Sequence, residues 1–173
     1  MPAEYLRVQP VESSGRVVGG SLDAKRLKIA IIVSRFNSNI TDRLLDGAIK
    51  CSKDLGVDPD NLVTVYVPGA FEIPLTAKLI AENQPVDAII CLGAVVRGDT
   101  THYEFVASNV ANGIAAVSRE LSIPVIFGVL TCENTEQALD RSRDDETNKG
   151  YESFESAVWT SRVVKTATDT ALF

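Results

Sequence analysis

Apolar and polar positions follow two rhythms along the chain. Continuous apolar runs, rich in β-branched residues, recur at "LKIAIIV" (27–33), "LVTVYV" (62–67), "VDAIICLGAVV" (86–96) and "PVIFGVL" (124–130). Runs of this length predict strands, and runs without polar alternation predict strands covered on both faces. Helical spacing fills the intervals. In "ITDRLLDGAIKCSKDLG" the apolar set Ile40, Leu44, Ala48, Ile49 and Leu55 keeps to one face, and Gly56 is the stop. The segment from Pro68 to Ala81 predicts a second helix, with Pro74 in the first turn, where its missing amide is tolerated. Further helices are predicted over 101–121, over "ENTEQALDR" and over 149–168. The short one has Asn134 as N-cap with Gln137 three residues on.

Strand and helix alternate four times. The packing solution is an α/β chain in three layers, a four-stranded parallel sheet between helices, with right-handed crossovers. Residues 1–25 are polar and glycine-containing and predict an N-terminal arm; 26–173 predict one domain, which suits a chain of 173 residues. Ligands of such sheets sit beyond the carboxyl ends of the strands. That directs attention to the loops 34–39, 68–72, 97–102 and 131–134.

Charge and cysteine usage narrow the class. Seventeen basic against 23 acidic residues give a net charge of −6, which argues against a general affinity for nucleic acid. The longest apolar runs are half a membrane span, and the first residues lack the apolar core of a secretory signal. Three scattered cysteines and a single histidine leave no metal set and no disulfide framework, so a reducing cytoplasm is expected.

The loops carry the chemistry. Thr101-His102-Tyr103-Glu104 fits a capping box, with Thr101 on the N3 amide and Glu104 reaching back. The helix then opens at His102, and its free amides and dipole suit an anion. Gly98 permits close approach, and Thr100 adds a hydroxyl. His102 is either a proton-transfer group or a locally bonded residue at a capped helix start. Asp99 fits an anion site only by turning outward or by lending its backbone amide. Phe36, in "SRFNSN", either stacks on a planar ring or belongs to the core. Glu72, in "VPGAFEIP", either complements a helix dipole or accepts bonds from ligand hydroxyls or amines. Arg141 is either an exposed structural residue or a ligand cation. A glycine-rich phosphate loop, paired acidic residues, a Ser-His-Asp set and a dinucleotide fingerprint are all missing. The combination suits a planar polar ring and a phosphorylated small molecule, with proton transfers and no cofactor.

The blocks "RFNSNITDRLLDGA", "VPGAFEIPLTAK", "GAVVRGDTTHYEFV" and "PVIFGVLTCENTEQALDR" closely resemble the 6,7-dimethyl-8-ribityllumazine synthases, in order and spacing over about 20–164. The resemblance implies a flavodoxin-like α/β/α sandwich and a cofactor-independent transferase of the penultimate step of riboflavin biosynthesis. It condenses 5-amino-6-(D-ribitylamino)uracil with 3,4-dihydroxy-2-butanone 4-phosphate and releases phosphate and water. It also implies sites between subunits of a homo-oligomer, either a pentamer or a 60-mer shell of twelve pentamers, and an association with riboflavin synthase. By motif, Phe36 would stack on the pyrimidine, with Ala70, Phe71, Glu72, Ala94, Val95 and Val96 lining the pyrimidine and ribityl site. Glu72 would hold ribityl hydroxyls. Asp99 and Thr100 would bind the butanone phosphate, Asp99 through its backbone, and His102 would move protons. Phe127 and Arg141 would come from the adjacent subunit, Arg141 anchoring the phosphate.

One block departs from the family pattern. The usual RAGxKxGNKG reads "RSRDDETNKG" here, with Asp145 in place of the lysine. This bears on phosphate affinity and on assembly. Two rival readings are a flavin- or lumazine-binding protein without turnover and a shell protein whose site has decayed, and this loop is the one feature favouring the second. His102 and Arg141, which the binding protein does not require, discriminate against the first, and the other matching site positions, all intact, against the second.

Overall fold

The computed structural model describes Leu6 and residues 17–169. Four strands, β1 (Ile29–Ser34), β2 (Leu62–Val67), β3 (Ala88–Val96) and β4 (Val125–Cys132), form one parallel sheet in the order β2-β1-β3-β4. The helices are α1 (Ser38–Asp54), α2 (Ile73–Asn83), α3 (His102–Leu121), α4 (Thr135–Asp140) and α5 (Lys149–Asp169). This is the three-layer α/β arrangement expected from the alternation.

Side chains leave a strand alternately to its two faces, and here both faces are covered. Ile29, Ile31 and Val33 of β1, with Ile90 and Leu92 of β3, pack on Ile40 and Leu44 of α1 and Phe154 and Val158 of α5. Ala30, Ile32, Ile89 and Cys91 pack on the opposite side against Ile73 and Ala77 of α2 and Val110 and Ile114 of α3. Two apolar faces explain why β1 and β3 read as uninterrupted apolar runs. β2 differs because it is an edge strand: Val63 and Tyr66 are about half exposed.

Element ends follow local chemistry. α1 stops at Asp54, and the turn closes at Gly56, whose φ of 69° lies in the left-handed region that glycine adopts without strain. The predicted second helix begins as a single 3-10 turn, Ala70–Glu72, before α2 takes over with Pro74 in its first turn. α4 starts as its cap residues predict, the Gln137 amide donating to Asn134 Oδ1 at 2.9 Å.

The predicted arm falls partly on residues 1–5 and 7–16, which lie outside the described residues. Its end is already packed: Ala24 is fully buried, Gly20 lies against Trp159, and Arg162 donates to the carbonyls of Asp23 and Lys25 at 2.6 and 3.0 Å.

The closest helix approach is between α1 and the start of α5. Asn148, 2% exposed, donates to the carbonyls of Arg43 (3.0 Å) and Arg143 (2.8 Å) and accepts the Gly150 amide at 2.8 Å. A Cβ on Gly150 would fall inside the Leu44 backbone carbonyl. Gly150→Ala is therefore expected to force the helices apart and cost about 3 kcal/mol of stability, read as a lower urea midpoint. An unchanged midpoint would show that this contact yields without cost.

Candidate active site

The backbone ladder between β1 and β2 continues beyond the strands. Arg35 donates its amide to Val67 at 2.8 Å, and Phe36 donates to Pro68 at 3.0 Å. Asn37 then turns the chain with φ 61°, a conformation that asparagine tolerates, and its side-chain amide donates to the Ala94 carbonyl at 2.8 Å. These bonds hold the loop after β1 against the ends of β2 and β3. Phe36 points outward and is 71% exposed, so the core reading of this residue fails.

The loop after β2 is fixed by Glu72, whose Oε2 accepts the Gly69 amide at 3.0 Å across the 3-10 turn. The carboxylate thus closes the turn ahead of α2, a bond not among the roles expected of it, while remaining exposed. Phe71, 53% exposed, projects beside it, and Asn109 of α3 donates to the Phe71 carbonyl at 3.3 Å.

Together these elements enclose a cavity of about 670 Å³ at the carboxyl edge of the sheet. Phe36 and Asn37 come from the first loop, and Pro68, Gly69, Ala70, Phe71 and Glu72 from the second. Ala94, Val95 and Val96 form the floor at the end of β3. Gly98, Thr100, His102, Tyr103 and Val106 supply the remaining wall. Three loops build the cavity. The fourth, 131–134, does not line it.

Ten of the residues singled out from sequence therefore share one cavity: Phe36, Ala70, Phe71, Glu72, Ala94, Val95, Val96, Gly98, Thr100 and His102. Asp99 is exposed beside it and does not line it. Phe127, 43% exposed on β4, and Arg141, exposed as the C-cap of α4, are also outside it. Arg141 bonds locally, Nη1 donating to the Gln137 carbonyl at 3.0 Å. Asn37, Tyr103 and Val106 were missed. For Asn37 the signal was available, an asparagine at a strand-to-helix turn where a left-handed residue fits.

The capping box predicted at α3 does not form. Thr101 makes no side-chain cap bond, and Glu104 instead accepts Arg97 Nη1 at 3.3 Å. Arg97 also donates from Nε to Glu133 at 2.7 Å and lies over the Tyr103 ring, 4.3 Å from its centroid. The bond to Glu133 first, then that to Glu104, pushes the guanidinium pKa up, so its charge is secure. The physical reason for the failed box is competition: an arginine seven residues earlier takes the carboxylate by a charge-assisted bond. The His102 amide, at the start of the helix, is met only at 3.4 Å by Thr100 Oγ1.

The acidic side chains of the divergent segment after Arg141 find donors close by. Asp145 accepts the Thr147 hydroxyl at 2.6 Å and its amide at 2.8 Å, and these two bonds, the hydroxyl first, hold its carboxyl below the ordinary range. Asp144 lies 4.0 Å from Lys50, and Arg143 pairs with Asp140. The cysteines offer no nucleophile: Cys51, Cys91 and Cys132 are buried, and burial pushes all three thiols up.

Comparison with known proteins agrees with this geometry. Residues 26–165 match the family model described as 6,7-dimethyl-8-ribityllumazine synthase. Two relatives from Clostridium kluyveri, one from strain ATCC 8527 and one from strain NBRC 12016, carry that same name. Each is 46% identical over 150 residues, covering 87% of this chain and 97% of the relative. The chain belongs to the 6,7-dimethyl-8-ribityllumazine synthase family.

Proposed function

We propose that this cavity, completed by a neighbouring copy, condenses 5-amino-6-(D-ribitylamino)uracil with 3,4-dihydroxy-2-butanone 4-phosphate. The products are 6,7-dimethyl-8-ribityllumazine, phosphate and water, the penultimate step of riboflavin biosynthesis. One observation carries the reading: His102, at the uncapped start of α3, shares a cavity with two exposed aromatic rings and the Glu72 carboxylate. A binding protein without turnover needs no such histidine, and the bonds from Thr147 that turn Asp145 onto its own loop support a working site over a decayed one.

Phe36 offers its face to the pyrimidine ring. The backbone at Ala70, Phe71 and Glu72 and the floor at Ala94, Val95 and Val96 frame the ring and the ribityl chain, with Glu72 accepting ribityl hydroxyls. Thr100 and the Asp99 backbone amide meet the phosphate at the start of α3, where the helix dipole favours negative charge. Amine addition to the ketone, loss of water, loss of phosphate, tautomerisation and ring closure each move protons. Imidazole is the side chain suited to take and return them near neutral pH. Holding the two substrates together supplies much of the acceleration.

The phosphate also needs a cation, and among the described residues no lysine or arginine lines the cavity. This supports Arg141 of an adjacent copy as its anchor, with Phe127 of that copy closing the pyrimidine side. Exposed apolar side chains at Val63 and Tyr66 on β2, Leu75 and Leu79 on α2, and Phe105 on α3 support self-association. The assembly in this reading is a pentamer or a shell of twelve pentamers, in the cytoplasm, with riboflavin synthase as its companion enzyme. The three free thiols fit that reducing compartment.

Mixing the protein with both substrates should produce lumazine absorbance and fluorescence above the uncatalysed background; a trace that follows the background refutes the condensation. His102→Ala should lower kcat by about 100-fold while both substrates still bind, and an unchanged kcat would remove the proton-transfer role. Arg141→Ala should raise the KM of the butanone phosphate by about tenfold or more and leave that of the pyrimidine nearly unchanged. Equal effects on both would place Arg141 elsewhere. Sizing should return about 90 kDa or about 1.1 MDa for an 18.7 kDa chain, and a monomer would contradict the shared site.

A further inference from the structure

Glu104 has the residue type and spacing of a capping carboxylate, yet it caps nothing. Its partner is Arg97, whose position is fixed from three directions. The Arg97 backbone amide donates to Cys132 at 2.9 Å, which ties the end of β3 to the end of β4. Its Nε bonds to Glu133 at 2.7 Å, and its guanidinium rests on the Tyr103 ring at 4.3 Å. So fixed, Nη1 reaches Glu104 at 3.3 Å. Arg97 itself does not line the cavity, whereas Tyr103 and His102, its neighbours across this cluster, do.

A Glu104 carboxylate free of Arg97 would have a better place to go. Three residues into a helix, it can reach back to the N-cap amide and lie in the positive end of the dipole. There it would take up donors and set negative charge beside Thr100 and His102. We propose that Arg97 is a positioning residue that holds the Glu104 carboxylate away from the amino end of α3, and so keeps that end open to an anion. The proposal rests on the condensation reading, in which the anion is the phosphate of the butanone substrate. Arg97 acts on that phosphate only through Glu104.

The test compares Arg97→Gln with the double variant Arg97→Gln/Glu104→Ala in the assembled protein. Inorganic phosphate binding is followed by calorimetric titration, and the KM of each substrate by lumazine formation. Arg97→Gln should weaken phosphate binding and raise the butanone phosphate KM by about tenfold each, with the pyrimidine KM little changed. Removing the freed carboxylate in the double variant should return both values close to those of the unmodified protein. A merely structural role would not be rescued in this way, because both variants lose the same side-chain bond to Glu133 and the same cation over Tyr103. Unchanged phosphate binding in Arg97→Gln, a double variant as weak as the single one, or an unmodified protein that binds no phosphate would each overturn the proposal. Unmodified protein that binds phosphate but makes no lumazine would instead refute the condensation, leaving the titration to judge Arg97.

Discussion

A parallel sheet covered on both faces leaves its carboxyl edge as the one place where loops from several strands can converge on a ligand. The placement of β1 between β2 and β3 decides which loops those are. Because β1 pairs with β2 from Ile29↔Leu62 to Ser34↔Val67, and with β3 from Ile29↔Ala88 to Val33↔Leu92, β1 and β2 end level with each other, and β3 runs on past them to Val96, between the loops of its neighbours. Their loops must therefore meet. Extension of the ladder through Arg35 and Phe36, and the bond from Asn37 to Ala94, carry strand-like order into segments that would otherwise be mobile connections. Phe36 can stand exposed in a defined direction because its backbone is held as a strand would be. The same ordering fixes Ala94 and Val95 as the floor.

Most of the fold was legible because it rests on short-range patterns. Continuous apolar runs mark strands with two buried faces, and the Asn134–Gln137 cap needs only residues three apart. The exceptions have long-range causes. β2 is half exposed because of its place at the sheet edge, which its own sequence does not encode. The capping box at Thr101 was the right local inference, defeated by Arg97 and, through it, by Glu133, 36 residues further along the chain. Phe36 was legible as either core or ligand contact, and only the pairing of its loop with β2 separates the two. The missed Tyr103 belongs to the same class, since its ring matters through the cation resting on it.

Electrostatics at this edge give several carboxylates a local donor, while Asp99 stands exposed beside the cavity. A chain of net charge −6 that handles a phosphorylated substrate has to keep its carboxylates occupied near the site. Glu72 is turned onto the Gly69 amide, and Glu104 and Glu133 are both turned onto Arg97. Asp145 is folded back onto Thr147. None of these bonds is strong by itself, since each lies at an exposed position. Their shared effect is directional: each carboxylate is satisfied by a nearby donor. In this reading, the substitution of Asp145 for the usual lysine is absorbed within its own turn.

The composition of the cavity then bears on assembly. Under the proposed function, a phosphate dianion would sit among aromatic rings, aliphatic backbone, one carboxylate and one histidine, with no lysine or arginine among the described residues, which leaves the site electrostatically incomplete. A helix terminus contributes roughly half a charge, too little to balance a dianion and to stabilise it as a leaving group. Phe127 and Arg141 present the complementary pair, an exposed ring and an exposed cation, on β4 and α4, outside the cavity of their own chain. Under the proposed function, a cation missing from one surface and displayed on another makes a heterologous contact, the kind that closes into a ring when the rotation per subunit permits. Under the proposed function, oligomer and active site are then one requirement: the contact that completes the phosphate site is also the contact that builds the assembly.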